Sequence, residues 1–154
     1  MKSLVIYDST FGNTKIIAEA ISKELGAESK AVFVDDANKN NFIDDLKNAE
    51  LLIAGSPIIG WKPSEKMGLF LERLTKDHKD QLKGIKAASF DTRVKIFFHG
   101  DAAKKISKKL ENAGAKIITE PNAFYVKGKE GPLLGGEKEK AAEWAQTIKA
   151  RAER

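Results

Sequence analysis

The sequence predicts an α/β domain built on an open, doubly wound parallel sheet of five strands with helices on both faces. Three observations predict it. Short apolar runs alternate with stretches of helical periodicity from one end of the chain to the other. The first run, Leu4-Val5-Ile6-Tyr7, is apolar at consecutive positions, as a strand buried on both faces must be. A turn of small polar residues, Ser9 to Thr14, then separates that run from the first helical stretch. Right-handed crossovers leave few connections for such a pattern, and the expected strand order is 2-1-3-4-5.

The elements follow in order. Ile17, Ala20, Ile21 and Leu25 recur at helical spacing, and Gly26 ends that helix. Ala31 to Val34 form the second strand, and Phe42, Ile43, Leu46 and Ala49 mark one face of a shorter helix. Leu51 to Gly55 form the third strand. Ser56 to Pro63, with two prolines, a glycine and a tryptophan, read as a loop. Met67, Phe70, Leu71 and Leu74 fall at i, i+3, i+4 and i+7 of an amphipathic helix. Ile85 to Phe90 give the fourth strand, and Asp91 to Gly100 read as a long loop, although Val94 to Phe98 have the composition of a strand. Ala103, Ile106, Leu110 and Ala113 mark the next helix, closed by Gly114. Lys116 to Thr119 and Ala123 to Val126 form a fifth strand interrupted near Pro121. A glycine-rich loop leads to a last helix with Ala141, Trp144, Ala145 and Ile148 inward.

The chain has 154 residues, which suits one domain over 1–154. With 42% hydrophobic and 32% charged residues, a folded core is expected rather than disorder. The opening apolar run is too short for a secretion signal and meets Asp8 at once. There is no cysteine, which excludes disulfides, thiolate catalysis and cysteine-ligated metals, and agrees with a cytoplasmic location. His78 and His99 are isolated, so neither a metal site nor a nucleophilic triad is expected. The net charge of +5 is uneven: residues 1–80 carry 11 basic and 13 acidic side chains, residues 81–154 carry 16 and 9. Scattered lysines of this kind read as a solvated surface and not as a nucleic-acid groove.

The turn Ser9-Thr10-Phe11-Gly12-Asn13-Thr14 carries the chemistry. A phosphate monoester is nearly a dianion and needs several converging donors. Three hydroxyls, an amide and a glycine stand here at the start of a helix, whose first N–H groups and positive dipole end add to them. A simple helix cap needs one hydroxyl. The run lacks the Gly-x-x-x-x-Gly-Lys of a nucleoside-triphosphate loop and the three glycines of a dinucleotide fingerprint. Strand three ends in Gly55-Ser56, not in the lone aspartate of a phosphoacceptor domain.

Tyr7 to Thr14 resemble the flavodoxin signature, in which Ser/Thr-x-Thr-Gly-x-Thr binds the phosphate of flavin mononucleotide (FMN); Ser9, Gly12 and Thr14 match, and Phe11 stands where a threonine is usual. The resemblance covers essentially the whole chain. Gly55-Ser56-Pro57 resembles the flavin loop after strand three of that family, while the usual acidic, tyrosine-bearing second flavin loop is absent. The resemblance implies a flavodoxin-like fold, FMN as cofactor and redox proteins as partners. It implies a cofactor site formed by Ser9, Thr10, Phe11, Gly12, Asn13 and Thr14 at the phosphate. Ser56, Pro57, Ile58, Gly60 and Trp61 would form the first ring loop, and Phe90, Asp91, Thr92 and Arg93 the second. Trp61 would stack on the ring or cover the next helix, and Gly60 would supply a peptide able to turn as the ring is reduced. Arg93 would either place a cation beside the ring and raise its potential, or point outward and pair with Asp91. Phe97 and Phe98 would rest on the ring, face a partner or pack under the loop. The leading function is an FMN-binding electron carrier. An FMN-dependent quinone or NAD(P)H oxidoreductase, and a binding protein of this fold without flavin, are the alternatives.

Overall fold

Parallel pairing around the first strand organises the chain. The computed structural model describes residues 1–39, 42–77, 79–96 and 100–154. Along it run β1 (Ser3–Tyr7), α1 (Asn13–Leu25), β2 (Ser29–Phe33), α2 (Val34–Ala37), α3 (Phe42–Asn48), β3 (Leu51–Ile59), β4 (Lys62–Pro63), α4 (Glu65–Asp77), α5 (Lys79–Leu82), β5 (Lys86–Val94), α6 (Ala102–Asn112), β6 (Lys116–Ile117), β7 (Asn122–Val126) and α7 (Glu137–Ala152). β1 pairs with β2 on one side and with β3 on the other, and β3 pairs in turn with β5, all in parallel. The fifth position is shared. β6 pairs with the start of β5 and β7 with its end. The break between them holds Pro121, which has no N–H to offer a ladder. The sheet order is thus β2-β1-β3-β5 with β6 and β7 in the fifth place; its five parallel positions follow the expected 2-1-3-4-5 once the short antiparallel β4, which the sequence reading lacked, is set aside.

Alternation along the strands divides the core. Leu4 and Ile6 face Leu46, Met67, Phe70, Leu74, Ile106 and Leu110 on one side of the sheet. Val5 and Tyr7 face Ile17, Ile21, Phe90, Trp144 and Ile148 on the other, under α1 and α7. Trp144 meets Phe90 and Phe124 edge-on, at 6.2 and 5.9 Å between ring centres, which is the core role its helical spacing predicts.

Two expected loops are strands instead, and both lie at the carboxyl end of the sheet. Ser56 and Pro57 do not leave β3: they continue its ladder opposite Asp91 and Thr92. The strand then turns back on itself, with Ile59 opposite Lys62 and Ile58 opposite Pro63. The two turn residues are Gly60 at φ 57° and Trp61 at φ 70°. Positive φ at both positions is what a two-residue hairpin requires, and tryptophan is an unusual residue to supply it. Likewise Asp91 to Val94 extend β5, because β7 supplies partners from Asn122 to Val126. At the other edge Val34 opens α2 instead of closing β2. Phe97, Phe98, His78 and His99 lie outside the described residues.

Gly55 marks the tightest contact in the sheet. A Cβ there would stand 2.1 Å from the ring of the fully buried Phe90. Gly55→Ala should therefore cost about 1–3 kcal/mol by overpacking. Urea unfolding measures it, and Phe90→Leu in the same chain should return part of the loss.

Candidate functional site

The turn after β1 is held by its own first residues. The Asp8 carboxylate accepts the Ser9 N–H at 2.8 Å, and the Asp8 N–H donates to the Gly55 carbonyl at 3.1 Å. Ser9 Oγ accepts the N–H of Gly12 at 3.0 Å and that of Lys15 at 3.3 Å. Gly12, at φ 92°, is the residue before α1 and has no side chain to cap the helix; Ser9 does so from three residues upstream. The hydroxyl proton of Ser9 remains free to donate outward. The N–H groups of Thr10, Phe11, Asn13 and Thr14 have no acceptor among the described residues. Such groups at a helix start are ready donors to an anion.

Two contacts anchor the turn to distant parts of the chain. Thr14 Oγ1 and Thr92 Oγ1 lie 2.8 Å apart in a buried pair that joins the first turn of α1 to β5. One proton serves that bond and the other is left over. The Asn13 amide donates to the Glu130 carbonyl at 3.2 Å, and a Cβ on Gly131 would lie 2.6 Å from that amide. The segment between β7 and α7 is thus laid directly against the turn.

A cavity of about 200 Å³ opens between these parts. It brings together many of the residues singled out in the sequence. Ser9, Thr10, Phe11, Asn13 and Thr14 line one end, and Pro57 and Ile58 of β3 line another wall. Thr92 and Arg93 of β5 line a third. Gly12 shapes the turn without lining the cavity. Val94, Ile96, Val126 and Lys129 also line it, and sequence reasoning missed them. Alternation from Thr92 to Val94 would have pointed to Val94 had the strand been recognised. Lys129, flanked by Gly128 and Gly131, carried no comparable signal.

Other expected residues lie elsewhere. Phe90 is fully buried in the core beneath the site, so its ring belongs to the packing of β5. Ser56 is fully buried as well: its Oγ accepts the Ser64 N–H at 2.9 Å and donates to the Pro57 carbonyl, which braces the hairpin. Gly60 and Trp61 form the tip of that hairpin. The indole is 56% exposed and outside the cavity wall, while its carbonyl accepts from Lys105 Nζ at 3.1 Å.

Arg93 pairs with Asp91, as one of its two expected readings has it, but the pair is buried and the guanidinium does not point outward. Its guanidinium grips Asp91 through Nε at 2.8 Å and Nη2 at 2.6 Å, and Nη2 reaches Asp101 at 3.3 Å. Burial works to lower its pKa; the hydrogen bond and charge of Asp91, with Asp101 and Tyr125, outweigh it and raise the pKa above the ordinary arginine value. Asp91 also accepts the Ala103 N–H at 2.9 Å, and Asp101 caps α6 through the Lys104 N–H. Among the described residues the ion-paired cluster holds one positive and two negative charges.

A donor-rich turn after the first strand of a doubly wound parallel sheet, with the cavity beyond the carboxyl ends of the strands, is the layout of a flavodoxin-type domain. The chain matches the flavodoxin family over residues 5–144 and belongs to it. With that membership comes FMN as cofactor. The structure is similar to a flavodoxin from the domain Archaea, with a TM-score of 0.79 at 22% identity over all of both chains. It is similar to flavodoxin 1 of Bacillus cereus, with a TM-score of 0.77 at 20% identity over 99% of this chain and 97% of that one. It also resembles part of the rubredoxin:oxygen oxidoreductase of Desulfovibrio gigas, with a TM-score of 0.79 at 18% identity over 99% of this chain and 36% of that one. An uncharacterized protein of Methanocaldococcus jannaschii is 24% identical over 77% of this chain, which spans only 30% of that relative's length.

The donor set suits FMN. Unclaimed amides, hydroxyl protons and the Lys129 ammonium would be available to its phosphate, and Pro57, Ile58, Val94 and Ile96 would offer apolar surface to a flat ring.

Arg93→Gln leaves the Asp91 carboxylate buried without its bidentate partner. It should destabilise the fold by about 3–5 kcal/mol, and Asp91→Asn in the same chain should recover part of that. Denaturant unfolding of the single and double variants checks both.

Proposed function

We propose that the chain acts as one domain over 1–154 that seats the phosphate of FMN against residues 9–14 and passes electrons between protein partners. The carrying observation is the cavity that unites the donor-rich turn with the apolar ends of β3 and β5. When bound, FMN supplies the redox chemistry; the protein supplies binding, orientation and exclusion of water. In this reading Ser9 donates its hydroxyl proton to the phosphate while its oxygen holds the turn. The amides of Thr10, Phe11, Asn13 and Thr14 converge on the same group, and Lys129 neutralises part of its charge. Thr14 and Thr92 keep the helix start in register with β5. Pro57 and Ile58 on one wall, with Val94 and Ile96 on another, flank the ring. The Arg93 cluster holds the second wall in place, and its own charge is compensated by Asp91 and Asp101. Among the described residues no helix is long and apolar enough to cross a membrane.

Charge-assisted hydrogen bonds to the phosphate are worth roughly 1.5–3 kcal/mol each. Riboflavin, which lacks the phosphate, should therefore bind at least ~100-fold more weakly than FMN. Fluorescence titration with both compounds measures the ratio; equal affinities would remove the phosphate site. Gly12→Val forces a β-branched residue into the left-handed region, a strain of roughly 1–2 kcal/mol. FMN affinity should fall about tenfold or more. The same titration reads it, and circular dichroism should show the fold retained.

A further inference from the structure

We propose that the face around the cavity mouth docks an acidic redox protein, one that presents an apolar patch ringed by carboxylates. The proposal rests on FMN occupying the cavity, since it names the surface through which electrons would leave.

Apolar side chains crowd this mouth more than a solvated surface requires. Phe11 and Ile96 line the cavity, yet they are 46% and 57% exposed. Ile58 lies in the wall, and the hairpin carries the apolar surface outward through Ile59 and Trp61, which are 48% and 56% exposed. Holding Trp61 at positive φ on a two-residue turn is a strained way to present an indole to solvent. A partner that covers it accounts for its place. Exposed apolar groups bordered by polar ones mark interaction sites, and aromatic residues are the usual anchors.

The charges around this patch choose the partner. Lys62 follows Trp61 on the hairpin, Lys105 bonds the Trp61 carbonyl, and Lys95 lies over the Tyr125 ring next to Ile96. None of the three takes part in an ion pair among the described residues. Lys62 and Lys105 also open the groove between α4 and α6, where Lys108 and Lys109 join them and only Glu65 and Glu72 oppose. The exposed Leu69 lies in the same groove. Of the nearby carboxylates, Asp91 and Asp101 are committed to Arg93 and Asp35 to Lys66, while Glu65 and Glu72 in the groove and Glu130 beside Lys129 stay outside these ion pairs and are outnumbered by the lysines. Unpaired cations bordering an apolar anchor attract a surface of opposite sign and repel a basic one.

Two proteins serve as probes: an acidic soluble b-type cytochrome and a basic c-type cytochrome, both oxidised. Amide and indole NMR shifts of the isotope-labelled full chain are followed during titration with each. The acidic probe should move Phe11, Ile59 to Lys62, Lys95, Ile96 and Lys105. It should bind at least about tenfold more tightly than the basic one at ~0.01 M salt, and lose most of that affinity by ~0.15 M. Lys62→Glu, Lys95→Glu and Lys105→Glu together should weaken binding about tenfold or more and leave the FMN titration unchanged. Lys23→Glu, Lys30→Glu and Lys83→Glu, with the same net charge at the far end of the sheet, should change it less than about twofold. Tighter binding of the basic probe, shifts on another face, or equal loss in the two triple variants would each overturn the proposal. So would the same shifts appearing with protein concentration alone, which would make the face a self-interface. Failure to bind FMN with docking intact would strike the cofactor reading; FMN binding with no shifts at this face would strike the docking proposal.

Discussion

A carboxylate with no exposed surface holds the site end of this domain in place. Asp91 sits in the interior of β5 and accepts from both arms of the Arg93 guanidinium and from the first turn of α6 through Ala103. Removing a charge from water is expensive, so a buried aspartate persists only where several donors surround it. Those donors come from the strand itself and from the helix that follows it. The ion pair therefore does two jobs at once. It stiffens β5 beyond Phe90, where the ladder with β7 begins, and it fixes where α6 starts. Thr92, between the two charged residues, points to the opposite side and meets Thr14. The wall of the cavity and its tie to the phosphate turn thus rest on one alternating triplet.

The turn at 9–14 gathers its donors without a cation among its own six residues. Ser9 uses its oxygen to take up two amides, and this sets the curvature; the left-handed Gly12 lets the chain enter α1 without a side chain in the way. The amides left over have no acceptor within the described chain. Leaving them unpaired costs stability unless water or a ligand accepts them, which is the usual exchange of stability for binding at such sites. Phe11 contributes no hydroxyl and instead stands exposed at the mouth, between the phosphate end and the outer surface.

The strand-helix alternation, the order of the five parallel strands, the core role of Trp144 and the position of the donor-rich turn were all legible in the sequence. Each depends on neighbours close in the chain: apolar runs, helical spacing, and hydroxyls gathered within six residues. What tertiary structure decided was the outer part of the site. Asp91 to Val94 look like loop because they are polar and lead towards glycine; they are strand because β7, about thirty residues later, offers a ladder. Gly60-Trp61 carries no hairpin signature, and Trp61 takes a positive φ only because β3 and β4 pair on either side of it. For Arg93 the sequence left open a cation beside the ring or a partner of Asp91; the fold made the pair and buried it, with Asp101, eight residues on, as a further acceptor. Lys129 lines the cavity only because Asn13 and Gly131 bring its loop against the turn. Propensity and periodicity report what a segment prefers by itself. The pairing of polar groups across long stretches of chain is decided by which partners the folded sheet places within hydrogen-bond reach.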